Sequence, residues 1–313
     1  MSSTGANSAL IKAMPAVFVL IWSTGFIVAK YGLPYAPPMT FLAIRYVLSL
    51  LCFMAWIAIA RVAWPRNRAQ WLHLGVTGIL IHAGYLGGVW SAIKGGMGSG
   101  LSALIVGLQP VLTAVWVSRM GDASQSENRV SVRQWLGLVL GLAGLLLVVS
   151  RKFGAGNEAT PLTLAFAVFA LLSITAGTLY QKRFVQPADV RSANAIQLGA
   201  ALLVSLPFAW LESEPVQVTP EFVGALAWSV LALTLGGSSL LYLLIQRGEA
   251  TSVTSLLYLV PPCTALMAWA LFGEVLTALM IAGMALTVVG VAIVVRNPRA
   301  ARTGAVTPRE PVA

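Results

Sequence analysis

Apolar stretches of about 18 to 24 residues follow one another along this chain, each long enough to cross a bilayer as an α-helix. Short polar connectors separate them. A helix satisfies its backbone groups internally, which hydrocarbon demands. The pattern predicts spans near 13–31, 38–60, 71–93, 99–119, 134–151, 161–182, 190–211, 221–245, 251–273 and 276–296. The polar landmarks inside these spans also repeat. Shifted by 152 positions, Gly25 falls on Gly177, Lys30 on Lys182, Arg45 on Gln197 and Gly84 on Gly236. Gly96 falls on Gly248, Pro110 on Pro262, Gly121 on Gly273 and Asp122 on Glu274. Beyond a loop with six extra residues in the first copy, Gly137 and Gly144 match Gly283 and Gly290.

Five spans per copy is an odd number, so the second copy must enter the membrane inverted. The expected fold is an all-α integral membrane protein, with about ten transmembrane helices in two inverted five-helix repeats. Inverted repeats around an axis in the membrane plane are a secondary-transporter architecture. The expected division is a cytoplasmic tail over 1–12, a first repeat over 13–151, a second over 161–296, and a disordered cytoplasmic tail over 297–313. That last segment is rich in Pro, Arg and small residues. The first span does not read as a cleaved signal, because only Lys12 precedes it and no cleavage site sits in register.

Composition agrees with the pattern. The 313 residues are 58% hydrophobic and 10% charged, with net charge +10. A soluble chain with that charge would suggest a nucleic-acid partner. Here the positive-inside rule accounts for it. With the N-terminus inside, fifteen of the 20 basic residues fall on the cytoplasmic side. Lys30, Lys94, Arg151 and Lys152 fall outside, and Arg45 lies within a span. Both termini are expected in the cytoplasm of a bacterial inner membrane. Cys52 and Cys263 lie in separate spans, out of metal-ligand spacing, and read as free thiols. Neither a metal nor a cofactor is expected.

The order of these landmarks resembles the drug/metabolite transporter superfamily, and specifically the EamA-type ten-helix exporters. The run from Trp22 to Lys30 is similar to that family's opening helix, and Arg45-Tyr46 sits where its second helix carries Arg. Pro110 to Asp122 and Pro262 to Glu274 resemble its repeated signature, a mid-helix Pro followed by an acidic turn. Within the family, the chain looks most like bacterial exporters of aromatic or neutral amino acids. The resemblance implies export of small neutral or zwitterionic metabolites through a central cavity by alternating access, without enzymatic chemistry.

The ten acidic residues all lie in connectors, tails or span ends. Proton- and sodium-driven carriers commonly bury one mid-membrane, so tight ion coupling is not expected. His82 is the remaining mid-span proton carrier. It either bonds a neighbouring helix or lines the cavity with Tyr85, Gly75 and Gly78, which share its helical face. Arg45 has three open readings: snorkelling to headgroups, pairing with Glu274, or attracting a substrate carboxylate. Its repeat mate is Gln197. Ser23 can bond a ligand or its own backbone. Gln109 can bond a ligand amide or a carbonyl freed by the neighbouring proline. Tyr258 and Trp269 are further candidates for stacking on a substrate. Pro110 and Pro262 should bend their helices, as fixed shape or as gates. Gly96 and Gly248 mark matched connectors that would let helices move. Glycines in the fifth and tenth spans suit close helix contact, within one chain or across a homodimer.

An exchanger of phosphorylated metabolites would need several convergent cations, and Arg45 with Lys30 is a thin set. A membrane-embedded enzyme would need a nucleophile, base or metal cluster, and a channel would need a charged ring or carbonyl filter. None of these patterns is visible.

Overall fold

In a computed structural model the regular structure of the described residues, 3–120, 135–136, 139–140, 143–144, 159–240 and 259–295, is all helical. The helices are α1 (Ser3–Gly32), α2 (Pro38–Ala60), α3 (Arg68–Lys94), α4 (Ser99–Val106) and α5 (Gln109–Met120). They continue with α6 (Pro161–Phe184), α7 (Val190–Leu211), α8 (Pro220–Ser238), α9 (Val260–Phe272) and α10 (Ala278–Val295). Five of them, α2, α3, α6, α7 and α8, are long and apolar enough by themselves to cross a membrane. The fifth expected span falls almost wholly outside the described residues, as do 251–258 and the tail after 295.

Local chemistry sets the helix boundaries. Pro38, Pro161 and Pro220 each open a helix, where a missing amide donor costs nothing. Thr160 and Thr219 cap α6 and α8, and Asp189 caps α7. The side-chain hydrogen bond from Arg191 holds the Asp189 carboxyl below the ordinary carboxylate range. Glu212, at the far end of α7, accepts from the Met39 and Thr40 amides at 2.9 and 2.7 Å and so caps α2 from another span.

That cap also fixes direction, because the start of α2 lies beside the end of α7. The 152-residue offset makes these two helices mates, and they pack against each other running opposite ways. The other contacts exchange under the same offset. Helix α3 packs on α6 and α7, and its mate α8 packs on α1 and α2. Lys30, near the end of α1, meets Glu274 just beyond α9. Gln70, near the start of α3, meets the Gln186 backbone beyond α6, at the opposite end of α2. Helices α1 and α6 therefore end on opposite faces of the molecule, as inversion requires.

Large apolar side chains point outward along the spans. Leu203 is 72% exposed and Trp210 92% exposed on α7. In water such a surface would drive association; in a bilayer it faces lipid.

Two helices contain π segments, Ile79–Leu86 in α3 and Ser229–Ser238 in α8. The offset carries 79–86 onto 231–238, so the two segments are mates. Single-turn π distortions are rare and concentrate at functional sites.

Two expectations change here. The fourth span is not one bent helix. It breaks at Gly107 and Leu108, and Pro110 sits in the first turn of α5. A Cβ on Gly107 would lie 2.7 Å from the Pro261 ring, so glycine allows this close approach. Pro262 likewise falls in the first turn of α9, where proline is tolerated without a kink.

Candidate functional site

The two π segments frame a cavity. Its polar and aromatic lining comes from Trp22 and Phe26 on α1, Arg45 on α2, His82, Tyr85 and Trp90 on α3, and Ser238 on α8. Glycine and apolar side chains complete the wall. The space is about 520 Å³, including its part open to solvent.

Arg45 is only 6% exposed. Its Nε donates to the Thr234 hydroxyl at 3.1 Å, and that hydroxyl donates at 2.9 Å to the Ser229 carbonyl, five residues back along the π segment. Two of its three sequence readings end here. Burial removes snorkelling, and Glu274 is engaged elsewhere. The Glu274 carboxylate accepts from Lys30 Nζ at 2.7 Å and from the Ser99 and Gly100 amides at 3.0 and 3.4 Å. It ties the end of α1 to the start of α4, where a negative charge also suits the helix dipole.

His82 is held through its backbone. The Tyr46 hydroxyl donates to the His82 carbonyl at 2.7 Å, a carbonyl inside the π segment. The imidazole itself has the Gln197 side chain as a looser polar partner. Both sequence readings of His82 therefore describe one residue, which touches a neighbouring helix and lines the cavity.

The offset links the two contacts. Arg45 maps onto Gln197, and His82 maps onto Thr234. The Arg45–Thr234 contact is therefore the repeat image of the Gln197–His82 contact. One polar link has been used twice across the pseudo-two-fold axis, with a cation on one side only.

Other candidates lie elsewhere. Trp269 is 55% exposed on the outward face of α9, which corrects its expected place in the cavity. Its helix is apolar on every side, so periodicity could not choose a face. Ser23 is fully buried and donates to the Val19 carbonyl at 2.7 Å, one turn back, which makes it a backbone-bound serine. Gln109 donates to the Thr178 hydroxyl at 3.0 Å and is not a lining residue. Gly75 and Gly78 share no wall with His82. Gly75 faces Ala200, and a Cβ on Gly78 would run into the Gln197 backbone. The π segment begins directly after Gly78, so that glycine meets the Gln197 backbone while the His82 ring, also beside Gln197, borders the cavity. Gly96 has φ +102°, a left-handed conformation that glycine adopts freely, in the turn between α3 and α4. Tyr258 and Gly248 lie outside the described residues.

Sequence reasoning did not select Thr234 and Ser238. Thr234 was within reach, because the offset places it opposite His82. Trp22 and Trp90 read from sequence as ordinary membrane aromatics.

The family model described as "EamA-like transporter family" matches residues 11–150 and again 161–296. The chain is 28% identical to a protein of Salmonella typhimurium named "Probable amino-acid metabolite efflux pump", covering 92% of this chain and 96% of that one. It is 27% identical to "Uncharacterized transporter YvbV" of Bacillus subtilis, over 93% of each chain. It is 25% identical to "Uncharacterized inner membrane transporter YedA" of Escherichia coli, over 86% of this chain. A solved crystal structure 18% identical in sequence superposes with a TM-score of 0.65, covering 90% of this chain and 95% of that one.

Proposed function

The chain belongs to the EamA-like transporter family, and we propose that this multi-pass membrane transporter exports small amino-acid-type metabolites, aromatic ones included. The observation that carries the reading is the cavity, in which one cation, one imidazole and two indoles meet between the halves. A polar head would meet Arg45, His82 and Tyr85, and an apolar side chain would lie against Trp22 and Trp90. A relative named for amino-acid metabolite efflux supports the substrate class. Among the described residues the lining holds a single Arg and no Lys, too few cations to clamp a phosphate group as a sugar-phosphate exchanger would.

The mechanism in this reading is alternating access, with substrate changing the relative stability of two conformations. The Lys30–Glu274 contact joins the two halves and closes one end of the path. The Lys94–Glu214 pair lies at the same end. By the positive-inside count this end is external, so both termini are cytoplasmic. The turn at Gly96 and the helix starts at Pro110 and Pro262 are the places where such a rearrangement can flex, with Gly248, the mate of Gly96 in sequence, as a further candidate. Among the described residues the carboxylates lie at helix ends or in connectors, and facilitative transport without obligatory proton movement follows from that reading.

The test is uptake into proteoliposomes across an amino-acid panel, with and without a pH gradient. Saturable transport of apolar or aromatic members at equal internal and external pH is expected. Accumulation driven by a proton gradient alone would refute the facilitative mechanism, and failure to carry any member would refute the substrate class.

A further inference from the structure

Arg45 is a buried cation with no anionic partner among the described residues. Among the described ion pairs, Glu274 goes to Lys30, Glu214 to Lys94 and Asp189 to Arg191. Glu212 caps α2. The titratable groups beside Arg45 among the described residues are the Tyr46 and Tyr85 phenols and the His82 imidazole, none of them a carboxylate. Its single protein hydrogen bond runs from Nε to Thr234, while the guanidinium fork has four further N–H donors, arranged to suit a carboxylate. The residue lines the cavity. A desolvated charge is costly without a counter-ion, so a ligand that supplies one is stabilised by more than its shape.

Among the described residues, the same wall has nothing of opposite sign for an ammonium group: it offers an imidazole, a phenol and a serine hydroxyl, and no carboxylate. The indole faces of Trp22 and Trp90 attract a cation weakly, and Arg45 repels it. A zwitterion would leave the cavity with a net positive charge, whereas a monoanion would leave it neutral.

We propose that the cavity selects apolar monocarboxylates, with one net negative charge, over zwitterions of the same shape. The physiological cargo is then the deaminated or N-acylated relative of an apolar amino acid, a product of reactions that remove or mask the amino group. This rests on the cavity being the substrate site, and it ranks the monoanionic relatives of amino acids above the zwitterions as ligands of that site.

Equilibrium binding to the purified, full-length protein tests this without interference from passive permeation of a weak acid. The probes are 4-methylpentanoate, leucine and 4-methylpentanamide, which share one carbon skeleton and differ in charge. The carboxylate should bind about tenfold or more tightly than leucine, and the amide more weakly than the carboxylate by a similar factor. Arg45→Gln should abolish the preference, and Arg45→Lys should retain part of it. Equal or tighter binding of leucine, with Arg45→Gln weakening both, would overturn the inference while leaving the cavity reading intact. Competition by chloride that is indifferent to the apolar tail would make Arg45 a simple anion site and also overturn it. If none of the three probes binds and no amino acid is transported, the cavity reading fails as well.

Discussion

The Arg45–Thr234 and Gln197–His82 contacts occupy one position twice. Each joins a second-helix residue of one half to a π-segment residue of the other. Both second-helix residues are about equally buried. The chemistry differs sharply. One side holds a fixed cation on a hydroxyl, and the other a neutral amide beside an imidazole. Duplication therefore supplied the frame, and divergence of four side chains supplied the polarity. A carrier with two identical contacts would present the same chemistry to a ligand from either side. With one cation the centre remains stable, and a ligand can bind in a defined orientation.

Making the two sides alike is the most severe way to break this comparison. Arg45→Gln puts glutamine at both second-helix positions. It removes the one charge-assisted anchor, worth about 1.5–3 kcal/mol, so transport at low substrate should fall roughly tenfold to a hundredfold. The readout is initial uptake rate per mole of protein in proteoliposomes. Unchanged uptake would show that the cation serves assembly alone.

The frame itself can be attacked without changing any of the four polar side chains. A Cβ on Gly78 would overlap the Gln197 backbone, whereas Gly199 on the same α7 contact helix has nothing within 4 Å. Gly78→Ala should cost about 1–3 kcal/mol by forcing α3 off α7. Gly199→Ala should be neutral or slightly stabilising, since alanine favours helix. Thermal stability in detergent separates the two. Equal behaviour would mean that the close approach is not what sets the position of His82.

These contrasts show which parts of the molecule were readable in its sequence. The spans were. The predicted 38–60 and 190–211 coincide with α2 and α7, because apolar length and flanking turn residues are written locally. Arg45, His82 and Tyr85 were readable as candidates because polar groups inside hydrocarbon-length helices need a reason to be there. The π segments were not readable. They arise where α3 and α8 pack against neighbours, and nothing in Ile79–Leu86 signals five-residue hydrogen bonding. Without them, Gly78 and His82 fall on one α-helical face, and the glycine contact is mistaken for cavity wall. The break before Pro110 was likewise hidden, since it depends on Gly107 meeting Pro261 from the other half.

A gentler change sharpens the polar side of the comparison. Gln197→Leu keeps similar volume but removes the polar partner of the His82 ring. The ring borders the cavity and can turn to water or substrate, so the loss should be a few-fold in apparent affinity with little change in maximal rate. A loss as large as that of Arg45→Gln would mean that the two contacts are equivalent after all.

The smallest effect is expected where sequence reading and structure part company most clearly. Trp269 and Tyr85 were both candidates to receive an apolar side chain. Tyr85 is buried at the cavity, while more than half of Trp269 faces outward. If position decides function, Trp269→Leu exchanges one lipid-compatible side chain for another. Apparent affinity and selectivity across the substrate panel should then stay within experimental scatter. Tyr85→Leu removes a phenol from the wall beside Arg45 and should change the ranking of aromatic over aliphatic substrates. The informative measurement is the ratio of uptake of an aromatic to an aliphatic substrate, which is independent of expression level. A shift of that ratio in Trp269→Leu equal to that in Tyr85→Leu would show that α9 turns its outward face to the substrate in another conformation, and the cavity wall would then have to include it.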